Sequence, residues 1–331
     1  MHLRLIVPPD RSERVLDGLV ADPGVSCVTR VPGAAHRPAG DLIECDVTRE
    51  ATSDVLVRLK TEGLYDDGSV ALTSVDSAPS RNAQAAEKAA PGAPDDAVIW
   101  DVVVDQAYNE AGGSWVYYVF LTLATMIASV AVVTDSSILV VGAMVVGPEF
   151  GVVAALAVGL FLRKGGLTKR SLMLLVKGFV LAIVLTAIAA LLARAVGWVD
   201  ASDVTAARPL TGFIWRPDRW SAVVAVLAGC AGVLSQTAGR GNALVGVFIS
   251  VTTVPAAGDL ALSVALWAPH QIGGSAAQLG INLAGMTAAG VVTLLLQRVI
   301  WRSYLRVKQV RGIAGPLRGR SESGQSYGGQ S

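Results

Sequence analysis

Residues 138–162 read ILVVGAMVVGPEFGVVAALAVGLFL, a long apolar run whose only charged residue is Glu149. A run of this length can cross about 30 Å of hydrocarbon at about 1.5 Å of helical rise per residue, so it predicts a transmembrane helix. Pro148 lies near its middle, where a proline removes a backbone hydrogen bond and clashes with the preceding turn. The run therefore predicts a membrane helix that is interrupted at mid-depth, beside a carboxylate.

The rest of the chain extends this membrane pattern. Hydrophobic residues make up 52% of the sequence and charged residues only 16%, against about 25% charged in soluble domains. The apolar residues concentrate after residue 114, so we predict a transmembrane domain over 115–301, in contact with the lipid bilayer. The fold class predicted is an α-helical integral membrane bundle of about six transmembrane helices, placed near 115–133, 138–162, 172–196, 221–237, 243–266 and 275–298.

The fifth segment repeats the composition of the second. It reads ALVGVFISVTTVPAAGDLALSVAL and places Pro255 and Asp259 near its middle. Each of the two segments is the central one of three, and three spans per half make the halves enter the membrane from opposite sides. This arrangement indicates a possible 3+3 inverted repeat, in which broken helices meet at a binding site. The alternative interpretation is two kinked packing helices with protonated acids.

Polar residues near the two interruptions are the candidate translocation or ligand site. Asn282, in the sixth segment, either contacts a solute or bonds a neighbouring helix. Arg240, in the turn after the fourth segment, either helps to bind an anion or anchors the chain at the cytoplasmic surface. The complete candidate set is Pro148, Glu149, Thr252, Thr253, Pro255, Asp259, Asn282 and Arg240.

Basic residues predict the orientation. The loop after the second segment contains Arg163, Lys164, Lys169 and Arg170, and the tail after residue 301 is also basic, whereas 134–137 and 268–274 hold no Lys or Arg. Because basic loops stay in the cytoplasm, both termini are expected there, as an even number of spans requires. The low count of three cysteines fits a reducing compartment.

The remaining segments lie outside the membrane. Residues 1–76 alternate in the order β-α-β-β-α-β, which predicts an α+β ferredoxin-like domain in the cytoplasm. Residues 77–97 are rich in Ala, Pro and Ser and are expected to be a linker. Residues 98–114 are expected to form an amphipathic helix before the first span. The tail over 302–331 is expected to be basic and then disordered.

Soluble enzyme chemistry finds no support in the sequence. No cluster of Cys and His has metal-ligand spacing, and no Gly-rich loop with a Lys follows a predicted strand. The net charge of +1 gives no reason to expect nucleic acid as a partner. We therefore expect no enzymatic activity, no cofactor and no metal site.

Short blocks such as Val141–Met144 with Gly147–Pro148, and Ala243–Val247 with Val254–Pro255, resemble bacterial membrane proteins grouped as domain of unknown function 389, across roughly residues 110–300. Val152 and Ala256 stand where that family often has a second proline, and Glu149 stands where an apolar residue is common. The resemblance implies a multi-pass protein of the bacterial plasma membrane, with a small N-terminal α/β domain in several members, but no established activity. The matching blocks are Val141–Met144 with Gly147–Pro148, Gly229–Gly232 with Thr237 and Gly239–Arg240, Ala243–Val247 with Val254–Pro255, and Asn282.

The leading functional hypothesis is a transporter or channel for a small solute or ion. In it, the domain over 1–76 regulates transport or assembles a homo-oligomer, and small-residue stretches such as Gly151–Gly159 pack closely within or between chains. The alternative is a membrane-anchored sensor or scaffold whose N-terminal domain binds a metabolite or a protein. A weaker third hypothesis is a membrane enzyme acting on lipid-linked substrates.

Overall fold

The N-terminal region folds as a small α+β domain. In the computed structural model, which describes residues 1–75, 77–90, 97–238 and 252–313, its four strands form one antiparallel sheet in the order β2-β3-β1-β4. The predicted order β-α-β-β-α-β is the observed order, with a short helix added before the last strand. The elements are β1 (His2–Val7), α1 (Ser12–Val20), β2 (Val25–His36), β3 (Ala39–Val47), α2 (Arg49–Thr61), α3 (Leu64–Asp67) and β4 (Ser69–Thr73).

The core of this domain follows from alternation along the central strands. In β1, Leu3 and Leu5 are buried, and the sheet register pairs them with the buried Cys45 and Ile43 of β3. Because successive side chains of a strand point to opposite faces, this one face packs beneath the helices. Val15 of α1 and the apolar residues of α2 complete the same core.

Asp41, in β3, is a buried acid that forms several hydrogen bonds inside the same domain. Its buried carboxylate accepts hydrogen bonds from Ser12 Oγ (2.6 Å), Gly33 N (2.8 Å) and Arg30 Nε (2.9 Å). These donors, led by the Ser12 hydroxyl, hold the pKa of Asp41 below its usual range. The ionised carboxylate therefore links β3 to α1 and to β2.

We expect Asp41→Asn to destabilise the N-terminal domain by about 1.5–3 kcal/mol, the range for a hydrogen bond to a charged group. A carboxyl whose folded pKa is lowered stabilises the fold above its unfolded pKa of about 3.9, and this contribution is lost as the pH falls through the folded pKa. Hydrogen exchange of residues 1–75 in the full chain, corrected for intrinsic rates across pH, measures both effects. The exposed Asp17, on α1, supplies the control Asp17→Asn. Unchanged protection and pH dependence in Asp41→Asn would contradict this role.

Two helices connect this domain to the membrane region. The segment 77–97, expected to be a linker, contains α4 (Arg81–Ala89), whose first turn is capped by the Ser80 hydroxyl accepting from Ala83 N at 3.1 Å. The second helix is α5 (Trp100–Glu110). Its buried Val103 and Ala107 pack with apolar residues of the membrane helices.

The membrane region is helical and apolar. Four helices, α6, α9, α11 and α13, are long and apolar enough to cross a bilayer. The pair α7–α8 forms a bent fifth candidate, and α12 is shorter. The elements are α6 (Trp115–Val133), α7 (Ser137–Val146), α8 (Glu149–Phe161), α9 (Gly165–Ala195), α10 (Ala201–Thr205), a 3-10 turn (Gly212–Ile214), α11 (Arg219–Thr237), α12 (Thr253–Ala265) and α13 (Pro269–Ile313).

The sequence predicts about six spans, and the described residues contain four or five candidates. The difference lies at the fifth predicted segment, 243–266, because only its part from residue 252 onward belongs to the described residues. At the other end, α13 continues to Ile313, so the predicted tail over 302–331 begins as helix. The chain is thus a membrane helical bundle with an N-terminal α+β domain.

Small residues bring the membrane helices together inside the chain. A Cβ on Gly159 of α8 would lie 2.8 Å from Thr168 Oγ1 of α9, and a Cβ on Gly229 of α11 would lie 2.5 Å from the carbonyl oxygen of Met286 in α13. Gly151 of α8 lies against the Glu110 carboxylate in the same way. The stretch Gly151–Gly159 therefore makes its close contacts within one chain.

Candidate functional site

The second predicted segment is broken at Gly147–Pro148, as the sequence predicts. Helix α7 ends at Val146, α8 begins at Glu149, and the two axes differ by 54°. Gly147 is extended (ψ 127°), as expected for a residue that precedes proline, and Pro148 occupies the cap position of α8. The break places the first turn of α8, whose backbone N–H groups have no acceptor within the helix, inside the bundle.

Glu149 is the first residue of α8 and is almost fully enclosed, with 6% of its surface exposed. Among the described residues, no group hydrogen-bonds its Oε2 atom, and the buried hydroxyl of Tyr117 in α6 also has no partner there. An unpaired carboxylate is costly to bury in a membrane protein. Among the described residues, Glu149 therefore has no paired cation of the kind that a purely structural acid normally has.

The start of α12 lies directly against this break. A Cβ on Gly147 would come within 2.7 Å of Val254 Cγ2, so only glycine allows the approach. Helix α12 begins at Thr253, which places Pro255 in its first turn. Proline is tolerated in a first turn because its missing N–H has no intrahelical acceptor there. The first turns of α8 and α12 thus lie next to one another.

Polar side chains of α13 lie around the start of α12. Thr252 Oγ1 accepts hydrogen bonds from Gln278 Nε2 and from Asn282 Nδ2 of α13, each at 3.0 Å. The hydroxyl of Thr253 and the Oε1 atom of Gln278 are buried with no partner among the described residues. Asn282 thus bonds a neighbouring helix, and it does so at the point where that helix begins.

Asp259 occupies a different and fully paired environment. Its Oδ1 accepts from Arg208 Nη1 at 2.7 Å, and its Oδ2 accepts from Ser275 Oγ at 2.5 Å. Arg208 also donates to Gln271 Oε1 at 2.7 Å, and Gln271 donates to the carbonyl of Val204 at 2.9 Å. The side chains of Arg208 and Asp259 are 3% and 0% exposed. This network holds the long connection between α9 and α11 against α12 and α13.

Asp135, between α6 and α7, also binds the connection between α9 and α11. Its carboxylate accepts from Thr211 N at 2.9 Å, from Thr211 Oγ1 at 2.8 Å and from Leu210 N at 3.2 Å. Although burial opposes ionisation, these hydrogen bonds hold the pKa of Asp135 below its usual range. The cap of α7 is supplied by the Ser136 hydroxyl, which accepts from Leu139 N at 3.4 Å.

A cavity of about 460 Å³ reaches the break at Pro148. Its walls come from the end of α5, the turn 112–114 and the first turns of α6, and they include Glu110 and Tyr117. Partial burial raises the pKa of Glu110. Water or a small solute in this cavity would therefore meet the carboxyl group of Glu110 and the ring of Pro148, which both line it.

The structure brings most of the predicted residues to one place. Pro148, Glu149, Thr253 and Pro255 lie around the meeting of the two first turns, and Thr252 with Asn282 lies beside it. Asp259 is set apart by its ion pair, and Arg240 lies outside the described residues. Sequence analysis missed Glu110, Tyr117, Gln278 and Arg208. The sequence held one signal for Arg208. A buried Asp259 requires a cation, and the stretch between the third and fourth predicted segments contains three arginines.

Comparison with known proteins gives one match. Residues 144–288 match the family model described as Domain of unknown function (DUF389). No curated protein and no solved structure matches the chain. The matched range contains the break at Pro148, the start of α12 and the Thr252–Asn282 contact. Over residues 144–288, the membrane region of this chain thus matches the domain of unknown function 389 family model, which supports the resemblance seen in its sequence blocks.

Proposed function

We propose that this protein is a transporter or channel for a small solute or ion, with its path at the meeting of the first turns of α8 and α12. The observation that carries the proposal is the contact of Gly147 with Val254 beside the buried Glu149, whose Oε2 atom has no hydrogen-bond partner among the described residues. Two helix starts, whose first N–H groups have no acceptor within their own helices, form a polar surface inside the bundle. Such a surface needs a ligand, a proton or water to satisfy it.

Glu149 is the residue we assign to the transported ion or to a coupled proton. A carboxylate without a counter-charge is stabilised either by protonation or by a bound cation, so it can exchange one for the other. Thr252, Thr253 and Asn282 supply hydroxyl and amide groups at the same level, while Pro148 and Pro255 keep the first turns open. Asp259, which forms an ion pair with Arg208, holds the connection between α9 and α11 (the outer connection) in place and does not line the path.

The arrangement around the path fits a 3+3 inverted repeat with six spans. In this proposal α6, α7–α8 and α9 form one half, and α11, the segment containing α12, and α13 form the other. Helices α8 and α12 then run away from the meeting point toward opposite sides, as in transporters built from broken helices. The basic loop after α8 supports a position in the bacterial plasma membrane with both termini on the cytoplasmic side.

The N-terminal domain is proposed to regulate transport or to assemble a homo-oligomer. Arg49, at the start of α2, donates through Nη2 to the carbonyl oxygen of Thr237, the last residue of α11, at 2.6 Å. Arg240 follows that residue closely in sequence and remains a proposed anion contact or cytoplasmic anchor. A change in the domain can therefore act on the cytoplasmic end of α11.

The direct test measures entry of protons, Na⁺ and K⁺ into proteoliposomes that contain a trapped indicator. We expect the wild-type chain to carry at least one of these ions faster than protein-free vesicles. Glu149→Gln is expected to lower that flux at least about tenfold, a change of about 1.4 kcal/mol, because the amide cannot exchange a proton or neutralise a cation.

The matched control is Asp105→Asn, which neutralises an exposed acid of α5, the helix that packs on α8. It should leave flux unchanged. Both variants should unfold at the wild-type temperature, since Glu149 Oε2 makes no hydrogen bond that the amide would lose. Wild-type flux in Glu149→Gln would remove this residue from the path, and no flux of any of the three ions by the wild type would contradict ion permeation.

A further inference from the structure

Glu50, in the first turn of α2, is a second buried acid that the proposed path does not use. Only 6% of its surface is exposed, and neither carboxylate oxygen has a hydrogen-bond partner among the described residues. Thr48 occupies the cap position of α2, yet its hydroxyl does not accept from the first turn and is likewise buried without a partner there. Buried polar groups are nearly always hydrogen-bonded, so two adjacent exceptions need an explanation.

Both side chains line a cavity of about 320 Å³. The cavity lies between the end of β3, the start of α2, the chain leaving β4 and helix α4. Small-molecule sites have volumes of about 300–1,000 Å³ and combine apolar walls with a few polar groups. Here the apolar wall comes from Val75, Ala78, Ala83 and Ala86, opposite Glu50 and Thr48.

The charges around the cavity favour a positively charged ligand. Asp46 and Glu87 line it together with Glu50. The positive groups that face Glu50 are Arg49 and the amino group of Met1. Arg49 donates to the carbonyl oxygens of Ala97 and Thr237, and the Met1 amino group donates to the carbonyl of Val47 at 2.8 Å. Both groups therefore donate to carbonyl oxygens, and no cation within the described part of the chain is hydrogen-bonded to Glu50.

We propose that this cavity binds a small organic ammonium ion, whose N–H groups donate to the Glu50 carboxylate and the Thr48 hydroxyl. The apolar part of the ligand packs against the alanines of α4. An ammonium group provides three donors for the unsatisfied oxygens. The apolar wall suits an organic cation better than a bare metal ion, which prefers a shell of oxygen ligands.

The position of the cavity gives the ligand a route to the membrane region. Arg49, which follows Thr48 and precedes Glu50, makes the contact with Thr237 at the end of α11. Thr237 Oγ1 also accepts from Gln297 Nε2 of α13 at 2.8 Å. Occupation of the cavity can therefore shift the residue that joins the two parts of the chain. Binding itself does not depend on the function proposed for the membrane path.

Calorimetric titration of the full-length chain in detergent tests the proposal, with ethylammonium, butylammonium and 1,4-diaminobutane chlorides as probes. At least one probe should bind saturably at one site per chain, and Glu50→Gln should weaken it at least about tenfold. Burial raises the pKa of Glu50. Affinity should therefore fall on acidification, beginning at a higher pH than the value of about 4.3 for an ordinary Glu.

Two variants separate a ligand role from a structural one. Thr48→Val removes the hydroxyl at constant shape and should weaken binding about threefold to tenfold, the worth of one hydrogen bond. Asp54→Asn neutralises an exposed acid on the same helix and should have no effect. The proposal is overturned if no probe binds saturably, if both Glu50→Gln and Thr48→Val bind like the wild type, or if Mg²⁺ or Na⁺ competes for the site more strongly than any ammonium probe.

Discussion

Arg208→Ala is expected to destabilise the chain by about 3–5 kcal/mol, the largest single loss that we predict from a charged residue. The substitution leaves the carboxylate of Asp259, which is fully buried, with only the Ser275 hydroxyl as a hydrogen-bond donor. It also leaves Gln271 Oε1 without its partner. Removing one member of a buried ion pair is more damaging than removing both, because the remaining charge cannot be solvated.

The double variant Arg208→Met with Asp259→Leu should therefore recover most of the lost stability. Replacing a buried pair by apolar residues of similar volume is often neutral or stabilising. Thermal unfolding in detergent of the wild type, Arg208→Met, Asp259→Leu and the double variant gives the four corners of a double-mutant cycle, with Arg208→Ala measured beside them. Arg216→Ala is the control, because this exposed arginine of the same connection only stacks on the ring of Trp215, 4.4 Å from its centroid.

The same variants separate the roles of the two membrane acids. If Asp259 only holds the outer connection in place, the stable double variant retains the flux of the wild type while Glu149→Gln does not. A double variant that is stable but inactive would instead place Asp259 on the path. A single Arg208→Ala variant as stable as Arg216→Ala would show that the ion pair does not hold this region together.

The contrast between Glu149 and Asp259 also shows which features could be predicted from the sequence and which could not. The break at Pro148 was predictable because proline acts on its own turn, whatever the rest of the chain does. The order of strands and helices in the N-terminal domain was predictable from local periodicity in the same way. Both are properties of a few consecutive residues.

The partners of the acids were not predictable, because they come from distant parts of the chain. Arg208 and Asp259 are 51 positions apart, and Arg216 and Arg219 of the same connection were equally available by composition. The position of Glu110 against Gly151 depends on α5 packing on α8, which no local pattern determines. Glu149 and Asp259 look equivalent in sequence, yet among the described residues Asp259 is paired with Arg208 and Glu149 has no paired cation.

Substitution of Gly258 is expected to have an effect of comparable size through packing alone. A Cβ at this position of α12 would lie 2.8 Å from Ala128 Cβ and 2.9 Å from the backbone nitrogen of Ser129 in α6. The obstacle is backbone, which cannot rotate away as a flexible side chain could. The same approach lets Ser129 Oγ donate to the carbonyl of Gly258 at 3.0 Å.

Gly258→Ala should cost about 1–3 kcal/mol, the usual range for overpacking, and Gly258→Leu more. The added atoms force α6 and α12 apart, so the Ser129 hydrogen bond and the close contact are lost together. Gly280→Ala in α13 is the matched control, because a Cβ there meets nothing within 4 Å. It should stabilise the helix by up to about 1 kcal/mol through its higher helix propensity.

Two chemically identical glycine-to-alanine changes are thus expected to shift the unfolding temperature in opposite directions. Because helix propensity favours alanine at both positions, only the distance to α6 can reverse the sign at Gly258. The readout is the midpoint of thermal unfolding in one detergent, with helix content checked by circular dichroism. Equal stabilisation by both changes would mean that α6 and α12 do not approach closely at Gly258, and the placement of α12 beside the break at Gly147 would lose its support from this contact.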